Sequence, residues 1–214
     1  AAALLPWEVR YRERLGDLAL TRGEAWEALA HFQTGLEIDR NSPTLHLRTA
    51  QTRITLADAA RWGDTRIEED FVPPQTDSPP ELERILVQHH LACAEAALET
   101  LSGLCPRLGD AAAAAARIAI LRAETAQDES EASAQWGTAS LRFREAFEYG
   151  LQERGQAYLQ FATVERNRGA LETAREILER AAAETPGNEA IWDLYADLVA
   201  ADGVQAPYLD ALQR

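Results

Sequence analysis

Three observations predict an all-α solenoid built from antiparallel helix pairs. A set of small and apolar residues, Leu15-Gly16, Gly23, Ala28, Phe32 and Gly35, recurs at the same spacing as Ala162, Gly169, Ala174, Leu178 and Ala181. The same small-residue positions return at a fixed interval, since Ala50 lies 34 residues after Gly16 and Ala196 lies 34 after Ala162. Apolar residues elsewhere fall at helical spacing, without the strict alternation of a half-buried strand. Small residues let two helices approach closely, and a glycine ends the first helix where the chain turns.

The spacing places helices near 8–21, 24–39, 43–61, 81–104, 109–127, 130–150, 153–168, 171–184, 188–202 and 205–213. The first two surround the turn glycine Gly23. The stretch 63–80, with Pro73-Pro74, Pro79-Pro80 and the acidic run Glu68-Glu69-Asp70, is expected to be a Pro-rich acidic loop inserted in the second pair. The fourth helix carries Ala94, Leu98, Leu101 and Pro106, where Ala to Pro spans 12 residues, as it does from Ala174 to Pro186. Ala116 follows Pro106 by 10 residues, as Ala196 follows Pro186, and marks the fifth helix. Ala139, Phe143 and Ala146 mark the sixth, leaving 11 extra residues in that hairpin. Shared equally, these would lengthen each of its helices by about a turn and a half and make the third hairpin longer than its neighbours. The last helix, with Pro207 near its start, is expected to cap the stack. Five pairs then fill one domain over 1–214, with repeats near 9–42, 43–108, 109–154, 155–188 and 189–214.

These residues and their period resemble the tetratricopeptide repeat (TPR) family. The resemblance implies a right-handed solenoid of about five helix pairs, whose first helices line a concave groove that binds a peptide or a partner protein. By register, that groove would be lined by Arg10, Glu13, Arg14 and Asp17 on the first helix and by Leu47, Arg48 and Gln51 on the third. Asp110, Arg117 and Leu121 would follow on the fifth, then Gln156, Leu159, Thr163, Arg166 and Asn167 on the seventh, and Asp193 and Asp197 on the ninth. One TPR subclass clamps chaperone C-termini with Lys and Asn at the positions held here by Glu13 and Asp17. That use is not expected here, because the positions are acidic and the chain has no Lys. The groove reads instead as amphoteric, with Arg14, Arg48, Arg117 and Arg166 along its middle and acids towards both ends.

Composition excludes several function classes. With 46% hydrophobic and 26% charged residues the chain has the make-up of a folded domain. Its formal charge of −14 argues against nucleic acid, whose binding depends on Lys and Arg neutralising phosphates. No apolar run reaches the roughly 18 residues a membrane-spanning helix needs. Cys93 and Cys105 would lie about 18 Å apart on one helix, too far for a disulfide, so both are expected to be free thiols that fill space in a reducing, cytoplasmic compartment. The chain has no Met, which leaves a removed leader open.

No phosphate-binding glycine loop, serine elbow or HExxH pattern occurs, and no catalytic residue, cofactor or metal is expected. His89 and His90 are adjacent and point about 100° apart on a helix, which argues against a shared metal, and His31 and His46 stand alone. Trp7, Trp26, Trp62, Trp136 and Trp192 invite a ligand-cage reading, but Trp192 occupies the large apolar position that opens a TPR first helix, where packing explains it. The reading is a non-enzymatic scaffold or adaptor for a protein or peptide. The alternatives are a regulatory ligand or peptide sensor of a larger system and, third, a helical enzyme with an unrecognised acid pair. Self-association through the solenoid ends stays open. Around Ile67, Phe71 and Val72 the inserted loop has the make-up of a docking segment but reads first as a linker, so deletion of 64–78 is expected to leave the fold intact.

Overall fold

The structure, a computed structural model, describes residues 6–201 apart from 69, 77 and 153. Nine helices follow one another among the described residues: α1 (Pro6–Thr21), α2 (Ala25–Ile38), α3 (Pro43–Arg61), α4 (Pro79–Leu104), α5 (Gly109–Glu124), α6 (Glu129–Tyr149), α7 (Arg154–Asn167), α8 (Leu171–Glu184) and α9 (Glu189–Ala201). No strand occurs among them, and no helix is long and apolar enough to cross a membrane. Helices α1, α3, α5 and α7 each pack on the even-numbered helix that follows, and the pairs stack in chain order as a solenoid. The expected tenth helix, 205–213, lies outside the described residues.

The two clearest hairpins turn in the same way. Gly23 and Gly169 both have φ of 77°, a conformation that costs glycine nothing. Beyond each, a backbone N–H reaches back five residues to the helix, Glu24 to the Ala19 carbonyl and Ala170 to the Glu165 carbonyl, both at 2.9 Å. This is the Schellman arrangement, which satisfies carbonyls that a helix end leaves free. Pro43 and Pro79 begin α3 and α4, and the Asp128 side chain caps α6 by accepting from the Glu131 N–H at 2.7 Å.

The small-residue register forms the inner seam of the stack. Ala28, Ala50, Ala94, Ala116, Ala139, Ala162 and Ala174 are all completely buried. Gly16 lies against the ring of Phe32, close enough that an added Cβ would overlap it. Ala196 is exposed, and the residues expected to pair with its helix lie outside those described. At the other end α1 leaves Trp7, Tyr11 and Leu18 exposed along one side.

The structure corrects two expectations. The extra residues of the third pair are not shared equally, because α5 keeps the 16 residues of α1 while α6 extends to 21. The second pair is the longer one, with α4 reaching 26 residues. The loop between α3 and α4 is also no free linker. Arg53 sits on the inner face of α3 at 5% exposure, and its guanidinium donates to both Glu68 oxygens, Nη1 to Oε2 at 2.6 Å and Nη2 to Oε1 at 2.7 Å. Phe71 stacks on His89 of α4 with centroids 3.8 Å apart and packs against the core shared by α3, α4 and α5. Arg66 lies over the ring of Trp26 on α2 at 5.7 Å.

Two outcomes follow for stability. Deleting 64–78, or replacing Glu68 by Ala, strands a buried arginine and is expected to cost about 3 kcal/mol, read from the urea midpoint, with unchanged stability refuting the clamp. Gly16→Ala is expected to cost about 2 kcal/mol by overpacking against Phe32. The matched Gly137→Ala on α6, where an added Cβ meets nothing within 4 Å, should instead gain up to about 1 kcal/mol.

Candidate functional site

The first helices of three successive pairs, α3, α5 and α7, face a common groove of about 440 Å³. Leu47, Arg48 and Gln51 enter it from α3, Asp110 and Arg117 from α5, and Gln156 from α7. These are the predicted residues that the structure brings together. Gln160 was missed, although it stands one helical turn beyond Gln156, and so was Gln152 in the turn before α7. Cys105 and Leu108, between α4 and α5, supply part of the wall.

The remaining predicted residues stand elsewhere. Asp17 joins the groove's edge through Arg48, whose Nε is 3.1 Å from Asp17 Oδ1, while Arg10, Glu13 and Arg14 stay on α1 outside the groove lining. Leu121 is a core residue at 6% exposure, because it faces α3 and α4. Leu159 packs partly against the C-terminal core, and Thr163 donates to the Leu159 carbonyl at 2.9 Å. Arg166, Asn167, Asp193 and Asp197 are exposed and do not line this groove.

The charges of the groove differ in kind. Arg48 is held by Asp17 and also donates to Gln51 at 3.3 Å, so it is largely neutralised by its own chain. Arg117 makes no hydrogen bond or ion pair among the described residues. Burial pulls its pKa down, with the Asp58 charge only partly opposing that effect. A cation half removed from water without an anion beside it costs free energy that a bound anion would recover.

A second polar cluster lies under the inserted loop. Glu68, His89 and His90 place one ligand-type atom each within 4.8 Å of one another, so adjacency does not separate the two histidines as the helical angle suggests. Arg53 nevertheless holds the position a cation would take, with Nη1 2.6 Å from Glu68 Oε2 and 3.2 Å from His90 Nδ1. Nor does the cluster make a cysteine nucleophile. Glu68 Oε2 and Cys93 Sγ both approach Nε2 of His89, at 2.9 and 3.9 Å, so the imidazole cannot relay between carboxylate and thiol. Burial, aided by Glu68, pushes the Cys93 thiol pKa up despite Arg53. Both cysteines are free and half-buried, not fully enclosed.

A second cavity, about 430 Å³ and open on the opposite side between α4 and α6, has a floor of Ala112, Ala115 and Ala119. Its arginines are already matched, Arg122 to Glu95 at 2.6 Å and Arg142 to Glu145 at 2.8 Å.

Comparison with known proteins bears on the scaffold. Residues 155–198 match the family model of the tetratricopeptide repeat. Among solved structures the fold is similar to that of a thermophilic TPR protein of Thermus thermophilus, with a TM-score of 0.66 over 91% of this chain and 83% of that one, at 16% sequence identity. No curated protein matches the sequence. The chain thus carries a tetratricopeptide repeat in α7 to α9 and shares the TPR fold along most of its length.

The polar cluster sets a pH dependence. His90 is 2% exposed, and burial, followed by the charges of Arg53 and His89, lowers its pKa to about 4. The unfolded chain takes up that proton near pH 6.5, whereas the folded chain does so only near pH 4, so this contribution to stability is complete above 6.5 and lost as pH falls towards 4. At Glu68 burial works to raise the pKa, but the hydrogen bonds from Arg53 and His89 outweigh it, and the net lowering acts in the same direction in acid. The His90 share of the decline is expected to reach about 3 kcal/mol. His90→Asn keeps an acceptor for Arg53 without titrating, and its urea midpoint should vary less across this range. An equally steep decline in the variant would assign the effect to other groups.

Proposed function

We propose that this tetratricopeptide-repeat solenoid is a non-catalytic adaptor that holds an extended segment of a partner protein in the groove formed by α3, α5 and α7. The observation that carries the reading is the convergence of three successive first helices on one concave space of about 440 Å³, lined with charged and amide side chains. That volume lies within the range of natural ligand sites, roughly 300–1,000 Å³. The groove wall mixes polar side chains with the apolar Leu47, Leu108 and Leu151. Gln51, Gln156 and Gln160 offer both donors and acceptors, which suits the backbone of a peptide with no secondary structure of its own. The acidic chain as a whole disfavours nucleic acid in the same groove.

Two variants separate this groove from the opposite cavity. Ala113 lines the groove and Thr138 lines the cleft between α4 and α6. With Ala113→Trp the groove is obstructed, and proteins retained by the wild-type chain from native extract should be lost, while Thr138→Trp should retain them. Loss with Thr138→Trp and retention with Ala113→Trp would move the binding surface to the cleft and reject the groove.

A further inference from the structure

Among the described residues, the groove contains a cation, Arg117, that no acid pairs at short range. Arg48 is matched by Asp17 at 3.1 Å, whereas Arg117 has no hydrogen bond or ion pair among the described residues. The acid that acts on it at longer range, Asp58, accepts from Arg61 at 3.3 Å. Asp110 shares the groove but lies two helical turns earlier on α5, roughly 10 Å along the axis. A guanidinium has five N–H donors in a rigid fork that matches a carboxylate.

We propose that Arg117 is a specificity-determining anchor for an Asp or Glu side chain within the partner's extended segment. This rests on the groove reading above. The acid is internal to the segment, not its C-terminus, because the groove continues past Arg117 on both sides, towards Leu47 and Arg48 on α3 and towards Gln156 and Gln160 on α7. The rest of the segment is neutral or basic. A run of acids would be repelled by a chain of net charge −14, while a single carboxylate gains Arg117 at short range.

The test is a library of unstructured peptides in which a central position is fixed in turn as Asp, Glu, Asn or Gln, prepared with blocked and with free C-termini, and read by fluorescence anisotropy. Carboxylate and amide have nearly the same shape, so their ratio isolates the charge. Against the wild-type chain, blocked peptides with a central acid should bind at least about tenfold more tightly than their amide counterparts. In Arg117→Gln that ratio should fall to near one while amide peptides still bind, and the melting temperature should hold or rise because an unmatched, half-buried charge has gone. Arg117→Lys, which keeps the charge but loses the fork, should retain part of the preference and carries the test if the Gln variant does not fold.

Three results overturn the anchor: no acid preference in the wild type, an undiminished one in Arg117→Gln, or one that requires a free C-terminus. Failure of the groove reading looks different. Peptides would then bind Ala113→Trp as well as the wild type, or the wild type would bind none of them, and the anchor falls with the groove.

Discussion

The approach of one helix to the next through a residue with little or no side chain is the constraint on which the rest of this molecule depends. Phe32 can lie flat against α1 because position 16 is glycine, and the fully buried alanines at 50, 94, 116, 139, 162 and 174 repeat that accommodation along the stack. Close approach fixes the separation within each pair, and the separation fixes where the next pair can sit. The odd-numbered helices are thereby held side by side, so that α3, α5 and α7 share one concave space. The groove and its glutamines and arginines are thus a product of the buried alanines 50, 116 and 162 on the same helices.

How much of this was legible in the sequence differs by element. The turns at Gly23 and Gly169 were readable because their conformation restricts the residue type, and the inner register because only small residues fit there. The share of extra residues between α5 and α6 was not, since counting fixes a sum and leaves its division to the caps: Asp128 starts α6 late, and α5 has already ended at Glu124. Docking of the inserted loop was missed for a related reason. Glu68 reads as one acid in an exposed acidic run, and its role becomes visible only from its partner. The signal was Arg53, which falls between Ala50 and Ala57 on the face of α3 that should be apolar and therefore requires a counter-charge.

Within the predicted groove, register placed Leu47, Arg48, Gln51, Arg117 and Gln156 together, yet could not tell a matched arginine from an unmatched one. Asp17 reaches Arg48 across two different pairs, a contact set by the angle between them and not by any spacing along the chain. Leu121 went the other way, into the core, because α5 is wrapped by neighbours on more than one side. A middle helix in a stack has less free surface than an end helix, and a uniform register overstates it.

The apolar interior is not one body. Among the described residues three clusters succeed one another, the first around Phe32, the second between α3, α4 and α5, the third from α5 onwards. Helix α5 is the seam, contributing Ala114 and Ile118 to one side and Ala116 and Ala119 to the other. A stack with divided cores can bend and can lose its ends separately, with cooperativity limited by each junction. A segment laid across α3, α5 and α7, as proposed above, would cross that seam and act as a splint over the two clusters that α5 joins.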